Sequence, residues 1–290
     1  MVISDHLKLW DTPTIDNPRM IMGLSGWMDG GNVSTGTMEF LVEEFDARLL
    51  AEILPDDFYI YNFPGPMELS ALFRPNINIE DGLITDYHQP SNMFYYDCDN
   101  RLILFEGKEP NLKWNLFCDC IFNLAEQFAV REIYFIGSFA GLIPHTREPH
   151  ITCTVSDKQL KKKIAPFQIR FSSYNGPCSI FNHLAKAASA RGIDVFSLVA
   201  EIPAYVQGRN PRCQEAILKR LAALLKLDIN LETLRRIGDE LEKKIDKIVR
   251  QRTELAEHIK KLETNYDEDV FDTDMDDLKN WLQKQGIRLD

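Results

Sequence analysis

Apolar residues fall into two rhythms along this chain. Met20-Ile21-Met22-Gly23-Leu24, Leu102-Ile103-Leu104-Phe105, Ile133-Tyr134-Phe135-Ile136-Gly137 and Val195-Phe196-Ser197-Leu198-Val199 are short, nearly continuous apolar runs. Such runs predict strands covered on both faces. Arg48–Leu54 predicts a further strand and Ile151–Val155 a short one. Between the strands the spacing becomes helical. Val33, Phe40, Leu41 and Phe45 mark a helix over about Asn32–Phe45, and Leu112–Phe128, Cys178–Ala190 and Pro211–Leu227 predict three more. Asn111 is placed to cap the second of these helices, Gly192 to close the third and Pro211 to open the fourth. Residues 56–100 break both rhythms: Pro64, Gly65, Pro66, Pro75, Asn76, Gly82 and Pro90 predict long loops and short strands. Strands alternating with helices predict an α/β fold, a mostly parallel sheet with helices on both faces. Ligands of such sheets bind beyond the carboxyl ends of the strands.

The last quarter differs. Leu234, Leu241, Ile248, Leu255 and Leu262 recur every seven residues, within a Glu-, Lys- and Arg-rich stretch from Leu231 to Leu262. This pattern predicts a helix roughly 45 Å long, with Asn230 as its cap. A second seam is interrupted by Gly238 and Arg252. Self-association, a helical hairpin and packing on the body all remain open. Asn265–Asp277 is acidic and predicts a solvated linker, since an EF-hand glycine and terminal glutamate are missing. Leu278–Lys284 predicts a short terminal helix. The expected organisation is a core domain over 1–228 and a helical extension with an acidic linker over 229–290.

Composition narrows the function classes. The net charge of −11 argues against a nucleic-acid partner and gives no reason to expect an anionic membrane surface. No apolar run reaches the roughly 20 residues of a membrane span, and Met1–Trp10 does not resemble a secretory signal, so a cytoplasmic protein is expected. The 6 cysteines form no C-x-x-C pair and predict reduced, mostly buried thiols. No His/Asp/Glu cluster has metal-ligand spacing, and no cofactor is indicated.

Four segments at strand–helix junctions are candidates for chemistry. Gly23–Gly31 offers glycines and a helix N-terminus for an anion, with Gly26, Asp29, Gly30 and Gly31 as candidate pocket residues. Its spacing is neither G-x-G-x-x-G nor a P-loop, and a structural turn is the competing reading. Pro144-His145-Thr146-Arg147 follows a strand, and its side chains suit a phosphate or carboxylate or, alternatively, the ordering of the loop itself. A triad of Ser138, Asp29 and His145 is imaginable, without a nucleophile elbow. Glu106–Asn111 supplies Glu106 or a mere cap. Tyr174–Cys178 places Cys178 near a positive helix end, where a thiol becomes more acidic or stays structural.

These segments together resemble the proteasome assembly chaperone two family. The resemblance rests on Gly26-Trp27-Met28-Asp29-Gly30-Gly31, Glu106-Gly107-Lys108-Glu109-Pro110 with Trp114, and Gly137 with Ile143-Pro144-His145-Thr146-Arg147. It continues through Tyr174-Asn175-Gly176-Pro177, Arg191-Gly192-Ile193, Ile202-Pro203-Ala204-Tyr205-Val206, Asn210-Pro211 and Leu262–Asp267. It implies a fold like that of nucleoside phosphorylases and related hydrolases, a homo-oligomer with trimers among the options, and a chaperone role in assembling proteasomes. The family brings no established catalytic residues. The chain departs from it at Ile287-Arg288-Leu289-Asp290, where a penultimate tyrosine that docks into the protease ring is missing, and at Ala204, where bacterial members often carry histidine before Tyr205. The resulting expectation is a non-enzymatic assembly or scaffold protein. The alternative is a binder or hydrolase acting on a nucleoside, phosphate or carboxylate in a pocket that includes Tyr205.

Overall fold

The computed structural model describes residues 2–268. The chain opens with β1 (Val2–Ser4), β2 (Leu7–Leu9), β3 (Arg19–Ser25), α1 (Val33–Glu44) and β4 (Arg48–Ile53). An excursion then holds α2 (Met67–Ala71), β5 (Asn76–Glu80) and β6 (Leu83–His88). β7 (Met93–Asp97), β8 (Leu102–Lys108), α3 (Trp114–Gln127) and β9 (Glu132–Gly141) follow. Then come β10 (Ile151–Cys153), α4 (Lys161–Ile164), β11 (Arg170–Phe171), α5 (Ile180–Ala188) and β12 (Asp194–Pro203). The C-terminal part is helical: α6 (Pro211–Leu225), α7 (Glu232–Arg250) and α8 (Thr253–Asp267).

Ten strands form one sheet in the order β1-β2-β4-β7-β8-β3-β9-β12-β10-β11. Its centre, β8-β3-β9-β12, is parallel, as the buried apolar runs require. Antiparallel pairings extend it on both sides, through β7 at one flank and β10 at the other. Alternate residues of each central strand serve different layers. Met20, Met22, Phe105 and Phe135 pack under α3 and α5 with Phe117, Ile121 and Phe181. Ile21, Leu104, Tyr134 and Phe196 pack under α1 and α6 with Met38, Leu41 and Ile217. Gly23 lets α1 lie close: a Cβ there would stand 2.6 Å from Met38 Cγ and 2.8 Å from the Ser34 carbonyl oxygen.

Several local expectations are corrected. Asn111 does not cap α3, because its Oδ1 accepts from the Ile60 amide while left-handed Lys113 occupies the cap position. Asn230 stands one residue before the cap of α7 and accepts from the Glu232 amide at 3.0 Å. Cys178 is exposed and lies outside α5, whose cap is Ser179. Gly192 takes the left-handed conformation expected of it, at φ 66°.

The long helix expected from the heptads is two helices. It breaks at Arg252, the one joint residue in extended conformation (φ −132°, ψ 98°), although no glycine or proline occurs between Asp239 and Asp267. Within α7, Gly238 is buried, and a Cβ added there would stand 3.6 Å from the Arg212 backbone nitrogen, so α7 lies close against α6, and Leu234 packs on the same core. Ile248 stays half exposed, whereas α8 buries Leu255, Ile259 and Leu262. The acidic linker is corrected in part: Asp267 ends α8 in an ion pair. Asp269–Asp277 and the helix expected over Leu278–Lys284 lie outside the described residues.

Candidate functional site

The carboxyl ends of β3, β9 and β12 are stitched together by the segments singled out in the sequence. After β3, Gly26 turns the chain at φ 127°, and Glu109 holds the turn. One Glu109 oxygen accepts from the Trp27 amide at 3.0 Å and the other from the Ile180 amide at 2.9 Å, tying the turn to the start of α5. Asp29 accepts from the Ser34 and Thr35 amides and from the Thr35 hydroxyl, so its carboxylate serves the unpaired donors that open α1. Gly31, at φ 62°, passes within 2.9 Å (to an added Cβ) of Asn210 Cβ, and the Asn210 amide donates to the Gly31 carbonyl. The Ser138 hydroxyl donates to the Gly30 carbonyl at 2.6 Å. Ser138 and Asp29 are thus consumed by backbone, and the imagined triad with His145 is absent.

Glu106 belongs to a different group. It projects on the α1 side of β8, where burial first, then Glu39 and Asp29, push its pKa up to about 7. Burial also raises Asp29, against the hydrogen bonds from Thr35 and Ser34. Glu39 is drawn outward to Arg209.

The His145 loop follows β9 and meets the end of β12. The Tyr205 hydroxyl accepts from the His145 amide at 2.7 Å and lies 2.8 Å from Nδ1 of the same ring. Nε2 of the same ring lies 3.1 Å from Oδ1 of Asp246 in α7, so both ring nitrogens are engaged. Burial raises the Tyr205 phenol well above its ordinary value, so it remains neutral. Arg147 reaches Asp267 of α8 with two parallel bonds, Nε to Oδ1 at 2.8 Å and Nη2 to Oδ2 at 2.7 Å. Such forks are among the stronger side-chain interactions. Asp267 raises the Arg147 pKa, and Arg147 lowers that of Asp267. The Thr146 hydroxyl donates to Glu263 at 2.5 Å, the Tyr266 hydroxyl donates to the Glu148 carbonyl at 2.8 Å, and the Tyr266 ring stacks on His150 at 4.5 Å.

A cavity of about 250 Å³ lies beside this loop, lined by Thr146, Arg147, Arg212, Glu215 and Lys219 among others. Its cations are already matched. Arg212 pairs with Asp239 and Glu242, Lys219 with Glu215, and Arg147 with Glu263 and Asp267. Burial opposes ionisation of Glu215, yet Arg235 and Lys219 hold its pKa low. Among the described residues, no group of three or more His, Cys, Asp or Glu side chains is arranged to hold a metal ion, and no helix is long and apolar enough to cross a membrane.

The predicted pocket residues therefore split in three. Gly26, Gly30 and Gly31, with Asp29, form a turn; Glu106 joins Asp29 and Glu39; His145, Thr146, Arg147 and Tyr205 form a clamp on α7 and α8. Not read as site residues in the sequence were Asp246, Glu263 and Asp267, more than 100 residues from the loop that they bind, and Glu109 and Asn210, whose side chains join elements. Only Asn210 had a local signal, the proline that follows it at the start of α6.

Comparison with known proteins places this architecture. A protein of unknown function from Corynebacterium glutamicum superposes with a TM-score of 0.78 at 22% identity, covering 91% of this chain and 98% of its own. A Mycobacterium tuberculosis protein of unknown function gives 0.78 at 25% identity, covering 91% and 90%. A proteasome-assembly chaperone homologue from Mycobacterium tuberculosis gives 0.73 at 24% identity, covering 83% and 99%. No protein of curated function matches the sequence. The model of the PAC2 family matches residues 23–249, from within β3 to the last turn of α7, and the chain belongs to that family.

Proposed function

We propose that this chain is a non-enzymatic, oligomeric assembly or scaffold protein of chaperone type, working in the cytoplasm through protein surfaces. The observation that carries the reading is the excursion between β4 and β7. Among the described residues its strands β5 and β6 pair only with each other, and Ile79, Leu83 and Ile84 are 61%, 71% and 66% exposed. Met67 and Leu72, in the same excursion, are 81% and 70% exposed. A two-stranded ribbon is marginal alone in water, and contiguous exposed apolar surface marks an interaction site. The kinship with a proteasome-assembly chaperone homologue supports a protein client. In this reading the body over 1–228 carries the surface and the extension over 229–290 is a helical attachment. The test is capture of the tagged full chain under gentle conditions with intact-mass determination. A stoichiometric protein partner or homo-oligomer is expected, and a monomer without a partner at micromolar concentration would remove the proposal.

The 250 Å³ cavity favours one second reading, a binder of phosphate, carboxylate or nucleoside beside His145, Thr146 and Arg147. Against it stands the saturation of every lining cation by the chain's own carboxylates. Thermal stabilisation by phosphate or nucleosides would support it.

A further inference from the structure

The joint between α7 and α8 does not follow from its own sequence. Arg250-Gln251-Arg252-Thr253 contains no residue that stops a helix, and one heptad seam, Leu241, Ile248, Leu255 and Leu262, continues through it although Arg252 interrupts the other. Gln251 is still helical, at φ −86° and ψ −8°, so a single residue, Arg252, carries the whole change of direction. The break is also poorly finished. No side chain caps the first amides of α8, and the cation of Arg252 stands at the positive helix end, the wrong sign for that position. What bends the chain is the far end of α8, through the forked Arg147–Asp267 pair, the Thr146–Glu263 bond and the Tyr266–His150 stack.

Two preferences therefore compete. Local sequence favours one continuous helix from Glu232 to Asp267; the clamp favours a bend. A second copy of the chain satisfies both. Returning Arg252 to helical angles would carry α8 away from its own body, leave its own clamp empty, and let α8 of a neighbour fill it with the same contacts. Isologous exchange of this kind is a known route to dimers, and it favours short joints between packed elements. We propose that this protein forms a symmetric dimer by exchanging α8 across the Arg252 joint, the loop Pro144–His150 of each copy receiving the Glu263–Asp267 end of the other. This rests on the oligomeric part of the proposed function and names its partner surface.

Charge reversal tests it in full-length protein. In R147E and in D267R the clamp faces like charge within each chain. Mixed one to one, the two variants regain an oppositely charged pair at both clamps, but only across chains. Native mass spectrometry should show each variant monomeric alone and a heterodimer in the mixture. T253P supplies the second arm. Proline is tolerated at the first position of a helix, and the extended angles of Arg252 already suit a following proline, so the bent chain accepts it. A helix running through residue 253 does not accept it. Adding T253P to both partners should abolish the heterodimer and leave folded monomers by circular dichroism. A mixture that stays monomeric overturns the exchange, as does a heterodimer that survives T253P. Either result leaves assembly through the β5–β6 ribbon standing, so failure here is distinct from failure of the proposed function.

Discussion

The centre of the sheet and the β5–β6 ribbon are built from the same kinds of residue and meet opposite fates. Ile21, Leu104 and Ile136 are fully buried between helices, whereas Ile79, Leu83 and Ile84 stand mostly in solvent. Apolar strands alone do not make a core. The central strands have α1 and α6 on one face and α3 and α5 on the other, and the ribbon has nothing above it among the described residues. The difference teaches where the chain spends its hydrophobicity on its own stability and where it holds it for another molecule.

The sharpest way to break this comparison is Phe105→Ala. Phe105 is fully buried, stacked on Phe94 at 4.2 Å and packed beside Phe117. Urea unfolding should show a loss of about 3–5 kcal/mol. Gly23→Ala comes next. Its methyl would press on backbone of α1, and a loss of about 1–3 kcal/mol is expected in the same measurement.

Glu106 sharpens the comparison from the polar side of the core. Its folded pKa of about 7 lies above the ordinary carboxylate value, so the fold prefers the protonated form. Stability present below the ordinary value is lost as pH rises through about 7. The full shift corresponds to roughly 3 kcal/mol, and partial exposure reduces it to about 1–2 kcal/mol. Melting temperature should fall between pH 5.5 and 8 in the wild type, and Glu106→Gln should flatten that slope. The smallest effect belongs to the ribbon. Ile79→Ser with Leu83→Ser should leave unfolding free energy within about 0.5 kcal/mol while removing protein partners captured through the ribbon. If the double variant instead unfolds like Phe105→Ala, the ribbon is core and the comparison fails.

The central strands and main helices were legible because burial on both faces forces continuous apolar runs, and amphipathic helices force helical spacing. β1, β2 and the ribbon were less so, being short and lying in polar or proline-rich surroundings where neither rhythm develops. In the site, the glycine turn and the His145 loop were located correctly at strand ends, but their partners were not. His145 could be read equally as ligand-binding or loop-ordering, and only Tyr205 and Asp246 on its two ring nitrogens decide its use.

By itself, then, the amino-acid order determined the central strands, the main helices of the body, their layering and the family resemblance, because periodicity and short motifs are local properties. The tertiary structure alone decided which carboxylates neutralise Arg147, that Asp29 serves α1 rather than His145, and that a continuous heptad seam is bent at Arg252. The first and last of these depend on contacts between segments distant in the chain, which leave no trace in the local spacing, while Asp29 is drawn to the amides of Ser34 and Thr35 by the turn that precedes α1.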